Sequence, residues 1–196
     1  MAAAATRQHI VEAADKLFYE QGFEATAFAD IAAATGLSRG NFYYHFKAKD
    51  EILDAVISLR LERTRLLLAG WQAAAETPGE RIRSFIGMLI GNRAKIMLYG
   101  CPVGTMCTEL AKLEHIASSR ANELFTLFRD WLAGQFSLLG RAADADVLAM
   151  HLLMRSQGVA TLAAAFRDET LIRREVEEMN RWLETQSPTA SFPPET

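Results

Sequence analysis

A short polar segment from Ser38 to His45 carries the side chains with the clearest chemistry in this sequence. Phe42 and Phe46, four residues apart, form an apolar stripe along one side of the helix that this segment predicts. The outward positions are filled by Arg39, Gly40, Asn41, Tyr43, Tyr44 and His45. In the major groove an arginine can pair with O6 and N7 of guanine, and an asparagine can pair with adenine. The segment therefore predicts a helix whose exposed side reads DNA bases.

Gly40 lies inside this predicted helix, where a glycine is unfavourable. In a helix interior it costs about 1 kcal/mol relative to alanine, so its presence needs a specific reason. The simplest reason is that the helix backbone approaches a partner closely at this position. We therefore expect Gly40 to face the same partner as Arg39 and Asn41.

The charge distribution favours the same partner, although the chain is acidic overall. Its 196 residues carry a formal net charge of −3. Between Asp30 and Asp50 there is no acidic residue, whereas this window contains Arg39, His45, Lys47 and Lys49. The positive potential is therefore confined to the predicted reading helix and the turn after it.

The two cysteines, Cys101 and Cys107, are a second group with possible chemistry. They are too few for a disulfide framework, and in a reducing compartment they remain thiols. A free cysteine is commonly a small buried hydrophobe, whereas a reactive one needs an accessible, electropositive setting. Both interpretations stay open. Together with Glu109 and His115 the spacing fits no standard zinc pattern, so we predict no metal and no cofactor.

A third group consists of apolar residues with a few polar ones among them in the later helices. A ligand pocket between helices is apolar and contains a few polar groups that orient the ligand. The residues that fit this description are Phe85, Met88, Leu89, Asn92, Phe125, Phe128, Trp131, His151 and Met154. For any single one of them, an ordinary core or surface position is the better explanation, and His151 is more often a hydrogen-bonded core histidine than a ligand contact.

The polar segment has to be positioned by a helix-turn-helix, which the residues before it predict. Thr26 is a candidate N-cap of a first short helix, with Phe28 and Ile31 at helical spacing after it. Gly36 ends that helix, because glycine readily adopts the left-handed conformation of a C-cap. Ser38 then caps the second helix. An amphipathic helix from Thr6 to Gly22 precedes the pair and completes a three-helix domain.

The remaining chain also has helical periodicity, which predicts among others a helix from Glu80 to Tyr99, a helix from Cys107 to Ile116, and a helix from Glu169 to Thr185 with an apolar stripe of Ile172, Val176, Met179 and Leu183. No alternating strand pattern occurs. We predict an all-α protein: an N-terminal three-helix helix-turn-helix DNA-binding domain over 1–50, a C-terminal helical ligand-binding and dimerisation domain over 51–186, and a disordered tail over 187–196. No charge-free apolar run approaches the ~18 residues of a membrane span, and the first residues lack the features of a secretory signal. We therefore expect a cytoplasmic protein without a membrane partner.

The run GFEATAFADIAAATGLSRGNFYYHFKAKDEIL resembles the TetR family of transcriptional regulators. It contains glycine followed by an aromatic residue, threonine four residues after the glycine, and Asp-Ile-Ala-x-x-x-Gly. Further along, the run contains the pattern aromatic-Tyr-x-His-Phe. A lysine follows three residues after that phenylalanine. The resemblance is specific in the first fifty or so residues, and it concerns only the arrangement of helices beyond Leu53.

The resemblance implies a homodimer that binds a pseudo-palindromic DNA operator and is released by a small-molecule inducer. By position in the motif, four residues are expected near base edges: Arg39, Gly40, Asn41 and Tyr44. Five are expected to contact phosphates or to support such contacts: Thr26, Ser38, Tyr43, His45 and Lys49. The helices over 147–166 and 169–185 would form the dimer interface; their small residues also fit an ordinary intramolecular core, so both explanations stay open. The segment GCPVGTMCTEL resembles a loop of the electrophile-responsive branch, which would make Cys101 the modified thiol.

Three hypotheses about function follow. The first is a DNA-binding transcriptional regulator, a repressor in most such cases, which a small molecule releases from DNA. The second is a repressor that senses electrophiles or oxidants through Cys101. The third, from a different class, is a helical enzyme or interaction module without a role at DNA. We predict no enzyme, because the sequence has no H-E-x-x-H, phosphate-binding loop, G-x-S-x-G or βαβ pattern.

Overall fold

The computed structural model describes residues 2–186, and within that range every regular element is a helix. The predicted all-α class is confirmed. The predicted tail over 187–196 lies outside the described residues. None of the helices between residues 2 and 186 is both long and apolar enough to span a lipid bilayer.

Ten α-helices follow one another along the described chain. They are α1 (Ala2–Glu20), α2 (Phe28–Thr35), α3 (Arg39–His45), α4 (Lys49–Ala74), α5 (Pro78–Gly91), α6 (Arg93–Tyr99), α7 (Pro102–Lys112), α8 (Ser118–Phe136), α9 (Ala145–Phe166) and α10 (Glu169–Gln186). A wide helical turn, Ser137–Arg141, continues α8 and contains Gly140 at φ 86°.

Two helices begin or end elsewhere than the sequence predicts, for local reasons. The helix predicted from Glu80 to Tyr99 is broken at Asn92, whose backbone leaves the helical region and whose side chain donates to Met88 O at 3.0 Å. The helix predicted to begin at Cys107 begins at Pro102 instead. A proline at the first helical position needs no hydrogen-bond partner for its nitrogen, so it favours a helix start.

The chain forms two compact units, whose limits differ from the predicted domain limits. Among the described residues, the first unit comprises those within Met1–Leu66 and Cys101–Phe125, and the second comprises those within Leu67–Gly100 and Thr126–Thr196. Helix α7 and the first part of α8 therefore belong with α1 to α3. A separate DNA-binding domain over residues 1–50 stays a prediction about function.

In the first unit the amphipathic stripe of α1 is buried as its periodicity predicts. Ile10 and Ala14 are fully buried, and Phe18 packs edge-to-face on Phe23 with ring centroids 5.3 Å apart. This core is completed by Ile31 of α2, Phe42 of α3 and Phe46, which directly follows α3. The core therefore fixes the three N-terminal helices as one body.

The second unit is a bundle in which α10 packs against α5 and α9, and α6 also packs against α9. The apolar side of α10 is the stripe predicted from its spacing, and its members are buried: Ile172, Val176, Met179 and Leu183. Trp71 and Trp131 lie 5.6 Å apart between ring centroids within this unit.

Candidate nucleic-acid interface

The first helix of the motif begins one residue later than predicted. Ala27 is the N-cap, with an extended backbone at φ −77°, ψ 152°, and its N–H donates to Asp30 Oδ2 at 2.9 Å. Thr26 is fully buried, and its hydroxyl donates to Gly22 O at 2.6 Å. The prediction that Thr26 caps α2 is therefore wrong. The hydroxyl supports the turn before α2, while contact between Thr26 and a phosphate, or support of such a contact, stays a prediction.

The turn between α2 and α3 has the predicted glycine geometry. Gly36 is left-handed at φ 65°, ψ 11°, and its N–H donates to Ala33 O at 3.2 Å. The Thr35 hydroxyl donates to Ala32 O at 2.7 Å and accepts from Leu37 N at 3.4 Å. Gly36 as the C-cap is thus confirmed, and the turn is held tightly by local hydrogen bonds.

Helix α3 begins at the predicted cap and buries the predicted stripe. The Ser38 hydroxyl accepts from Asn41 N at 3.4 Å, and Phe42 and Phe46 are 0% and 1% exposed. Phe28 of α2 packs edge-to-face on Phe42 at 5.1 Å between ring centroids. The bulky Phe28 therefore helps to fix α3 against α2.

The opposite side of α3 is exposed over nearly its whole length. Ser38, Arg39, Gly40, Asn41, Tyr43 and Tyr44 are all exposed, and His45 is half-buried. Among the described residues, the Arg39 guanidinium and the Asn41 carboxamide have no hydrogen-bond partner. Tyr44 is 73% exposed, and its ring lies edge-to-face against His45 at 5.1 Å. The predicted base readers therefore share one exposed surface, which we call the reading face.

Gly40 lies on the reading face without any contact that would require a glycine. No side-chain or non-local backbone atom of the described chain lies within 4 Å of the position that a Cβ would take there. The packing of the protein itself therefore does not explain why α3 tolerates this residue. Close approach of an external partner remains the physical reason that fits.

The two lysines after α3 are engaged with the protein itself. The Lys49 ammonium donates to Phe23 O at 2.9 Å and to Glu24 O at 3.4 Å, and it lies 4.2 Å from the centroid of the Phe23 ring. The Lys47 ammonium donates to Tyr43 O. Lys49 thus holds the turn between α1 and α2, while contact between Lys49 and a phosphate stays a prediction.

The predicted pocket residues are not gathered into one buried group. Phe85, Leu89 and Phe128 are buried in the second unit, where the rings of Phe85 and Phe128 lie 5.7 Å apart. Half-buried positions are held by Met88, Trp131 and, in the first unit, Phe125. Exposed positions are held by Asn92, His151 and Met154. Which of these nine contact a ligand stays a prediction.

The two cysteines lie in different environments. Cys107 is buried, its thiol donates to Ala121 O at 3.4 Å, and burial raises its pKa to about 11. Cys101 is half-buried and is the N-cap of α7, where its sulfur accepts from Gly104 N at 3.4 Å. Cys101 is therefore the more accessible of the two thiols.

Sequence reasoning missed the structural roles of two charged residues that tie α7 to the N-terminal helices. Glu109 accepts hydrogen bonds from Phe23 N and Glu24 N, both at 2.9 Å. Arg60 is buried and donates to Asp15 Oδ1 and to Pro102 O, both at 2.5 Å. No sequence signal marks Glu109, because 86 residues separate it from Phe23.

Comparisons with known proteins agree with the motif and with the arrangement of helices. Residues 10–56 match the family described as bacterial regulatory proteins, tetR family. An uncharacterised HTH-type transcriptional regulator in the lacX 3′ region of Lactococcus lactis subsp. lactis is 29% identical over 83% of this chain and 85% of its own length. The HTH-type transcriptional repressor DhaR of Mycobacterium sp. (strain GP1) is 29% identical over 67% of this chain and 64% of its own length. The crystal structure of a TetR-family transcriptional regulator from Cytophaga hutchinsonii superposes with a TM-score of 0.82 at 20% identity, covering 96% of this chain and 98% of that one.

Proposed function

This chain belongs to the TetR family of bacterial regulatory proteins, and on that basis we propose that it is a sequence-specific repressor that a small molecule releases from its DNA operator. The observation that carries the proposal is the reading face of α3. Its arginine and asparagine are exposed and without partners among the described residues, next to a glycine with open space around it. Repression is supported by the name of the related repressor DhaR.

On the reading face, Arg39 and Asn41 read base edges, and the Gly40 backbone approaches the groove. Arginine recognises guanine and asparagine recognises adenine through paired hydrogen bonds. Ser38, Tyr43 and His45 contact phosphates, which orient the protein without reading sequence. Tyr44, the most exposed of these aromatic residues, makes apolar contact with a base.

The protein acts as a homodimer, and α9 with α10 forms the interface. The proposal is supported by an exposed apolar row on α9, formed by Val147, Met154, Leu162 and Phe166, which are 69%, 60%, 52% and 69% exposed. A single short reading helix contacts few bases, whereas a dimer places two of them on half-sites about 34–36 Å apart. The operator is accordingly a pseudo-palindrome, and the dimer acts in the cytoplasm.

The inducer binds in the C-terminal part of the chain. Support comes from the half-buried side chains of Met88 and Trp131, in the same unit as the buried Phe85 and Phe128 pair. Apolar surface of this kind suits a small molecule with an apolar body. The protein must have two conformations that differ in operator affinity. Release requires the inducer to bind more tightly to the conformation that has the lower operator affinity.

A second candidate for the signal is covalent modification of Cys101. The observation that favours it is the position of this thiol as N-cap of α7, where it accepts the Gly104 N–H. An alkyl group or an added oxygen on the sulfur disturbs that cap and the start of α7. Operator release by an electrophile from the wild type but not from Cys101→Ser would select this mechanism over a non-covalent inducer.

The function is tested by fluorescence anisotropy with labelled duplexes from upstream of the coding sequence, against a scrambled duplex of the same composition. We expect the logarithm of the binding constant for the upstream duplex to fall linearly with the logarithm of the salt concentration. A preference of at least a hundredfold over the scrambled duplex is expected at about 150 mM salt. Equal affinity for both duplexes at every salt concentration would end the proposal.

A further inference from the structure

The turn between α1 and α2 is held by a carboxylate from a distant helix. Glu109 of α7 accepts hydrogen bonds from two successive amides, Phe23 N to Oε2 and Glu24 N to Oε1, both at 2.9 Å. Gly22 precedes them at φ +95°, and a Cβ there would lie 2.9 Å from Glu109 Oε1. The backbone therefore takes a conformation that favours glycine and leaves room for the carboxylate.

The same two residues are held on their carbonyl side by Lys49. Its ammonium donates to Phe23 O and Glu24 O, and it lies over the Phe23 ring. The ring of His115, just beyond α7, packs edge-to-face on the Phe23 ring, with the two ring centroids 5.1 Å apart. Both polar groups of each residue are thus engaged by charged side chains, which form stronger hydrogen bonds than neutral ones.

This turn leads directly into the helix-turn-helix. The Thr26 hydroxyl donates a hydrogen bond to Gly22 O at 2.6 Å, and the Thr26 N–H donates to Phe23 O at 3.3 Å. Ala27, the next residue, caps α2. A change in the orientation of the turn therefore changes the direction in which α2 leaves, and the reading face moves with it.

Helix α7 is also fixed at its other end. The buried Arg60 of α4 donates to the carbonyl of Pro102, the first residue of α7, and to both the carboxylate and the carbonyl of Asp15 in α1. Within the first unit, α7 therefore touches the N-terminal helices through two charged groups near opposite ends. Of these two contacts, the one through Glu109 involves the α1–α2 turn, which directly precedes α2 and α3.

We propose that Glu109 is a positioning residue for operator binding: its carboxylate sets the α1–α2 turn, and so the reading face, relative to α7. The proposal rests on the proposed function, since it concerns the same DNA complex. In this proposal, a movement of α7 is transmitted to α2 and α3 through the hydrogen bonds between the Glu109 carboxylate and the α1–α2 turn. Glu109 itself does not touch DNA in this mechanism.

The test is the substitution Glu109→Gln in the full chain. The amide has almost the same volume, but its NH₂ group faces an amide donor, so one of the two hydrogen bonds is lost and the turn is released. We expect about tenfold weaker binding to the upstream duplex, corresponding to one hydrogen bond to a charged group. Binding to the scrambled duplex stays within twofold of the wild type, because phosphate contacts do not require the reading faces to match the half-sites.

Glu80→Gln is a matched control. The Glu80 carboxylate also accepts two hydrogen bonds, from Thr77 N at 3.0 Å and from the Thr77 hydroxyl at 2.9 Å, but it lies in the second unit. Both substitutions remove one negative charge, so the control includes any effect that the lost charge has on DNA binding. We expect Glu80→Gln to keep the affinity for both duplexes, so a loss in Glu109→Gln does not arise from charge.

Glu109→Asp is a second, milder variant that keeps the charge and shortens the side chain by one methylene. We expect an intermediate loss of operator affinity, with thermal melting confirming that each variant is folded at the assay temperature. Operator affinity within twofold of the wild type in both Glu109 variants would overturn the proposal. A parallel loss for upstream and scrambled duplexes would overturn it as well. A wild-type protein without preference for the upstream duplex would instead contradict the proposed function.

Discussion

At the scale of single residues, the division of the reading face into base readers and phosphate anchors makes a direct prediction. Arg39→Ala should relax sequence preference at one position of each half-site and weaken operator binding by roughly 1–3 kcal/mol. The reason is loss of a paired hydrogen bond to a guanine edge. Affinity should be measured by anisotropy against a panel of duplexes that carry single base-pair changes.

Arg65→Ala is the control for this prediction, because it removes an exposed arginine of α4 outside the reading face. It should lower affinity for all duplexes of the panel by the same small factor. If Arg39→Ala also weakened every duplex equally, Arg39 would be a phosphate contact, and the division would be wrong for that residue.

The two thiols should differ strongly in reactivity. With its pKa raised to about 11, Cys107 has a thiolate fraction of about one in a thousand at pH 8, against about one in ten for an ordinary thiol. Burial also keeps reagents away from it. Iodoacetamide at pH 8 should therefore alkylate Cys101 first, as followed by mass spectrometry of peptides.

Cys107 should react at a comparable rate only after unfolding in guanidinium chloride, which provides an internal control. Equal alkylation of both cysteines in the folded protein would show that the environment of Cys107 is more open than the structure indicates. It would also restore Cys107 as a candidate sensor.

At the scale of elements, the turn of the helix-turn-helix depends on a left-handed glycine. Gly36→Ala should lower the free energy of unfolding by about 1 kcal/mol, because an alanine is strained at φ 65°. Crowding adds nothing, since a Cβ at this position would have no non-local atom of the described chain within 4 Å. Urea denaturation followed by circular dichroism measures the change.

Gly70→Ala is the matched control, because Gly70 lies in α4, also with open space around its Cβ position, but with a helical backbone. This substitution should raise the free energy of unfolding by about 0.5–1 kcal/mol, since alanine loses less backbone entropy than glycine in a helix. The two changes have opposite signs although both add one methyl group. Equal signs would contradict the assigned role of the Gly36 backbone.

Helix α7 illustrates how an element can belong elsewhere than the sequence suggests. It follows the first helices of the C-terminal part in the chain, yet its charged side chains and backbone meet the α1–α2 turn, α1 and α4. Its contacts with residues far away in sequence are what assign it to the first unit. Local patterns in the sequence do not reveal these contacts, because the residues that they join lie far apart along the chain.

At the scale of the whole molecule, the proposed dimer is tested by Leu162→Arg on the exposed apolar row of α9. A buried, unpaired charge at an interface is strongly unfavourable, so this variant should be a monomer at micromolar concentration. Sedimentation velocity measures the mass, and operator affinity should fall at least a hundredfold because one half-site contact is lost.

Ile116→Arg is the control, because Ile116 is 94% exposed between α7 and α8, away from α9 in sequence and in the other compact unit. It should leave both mass and operator affinity unchanged. A monomeric wild type, or a dimeric Leu162→Arg variant, would place the interface elsewhere.

The sequence by itself determined the features that depend on neighbours within about four residues. The Gly36 and Ser38 caps and the buried pair Phe42 and Phe46 follow from helix geometry and hydrogen bonds within one turn. They were sufficient to predict the helix-turn-helix, and helical periodicity along the remaining chain predicted the all-α class.

Only the tertiary structure decided what distant residues do to one another. It buried Thr26, engaged Lys49 with carbonyls 26 and 25 residues away, and brought Glu109 to amides 86 and 85 residues away. It also raised the pKa of Cys107 while leaving Cys101 half-exposed at a helix start. Burial and long-range hydrogen bonds depend on how helices pack, and helical periodicity specifies which side of a helix is buried but not which helix covers it.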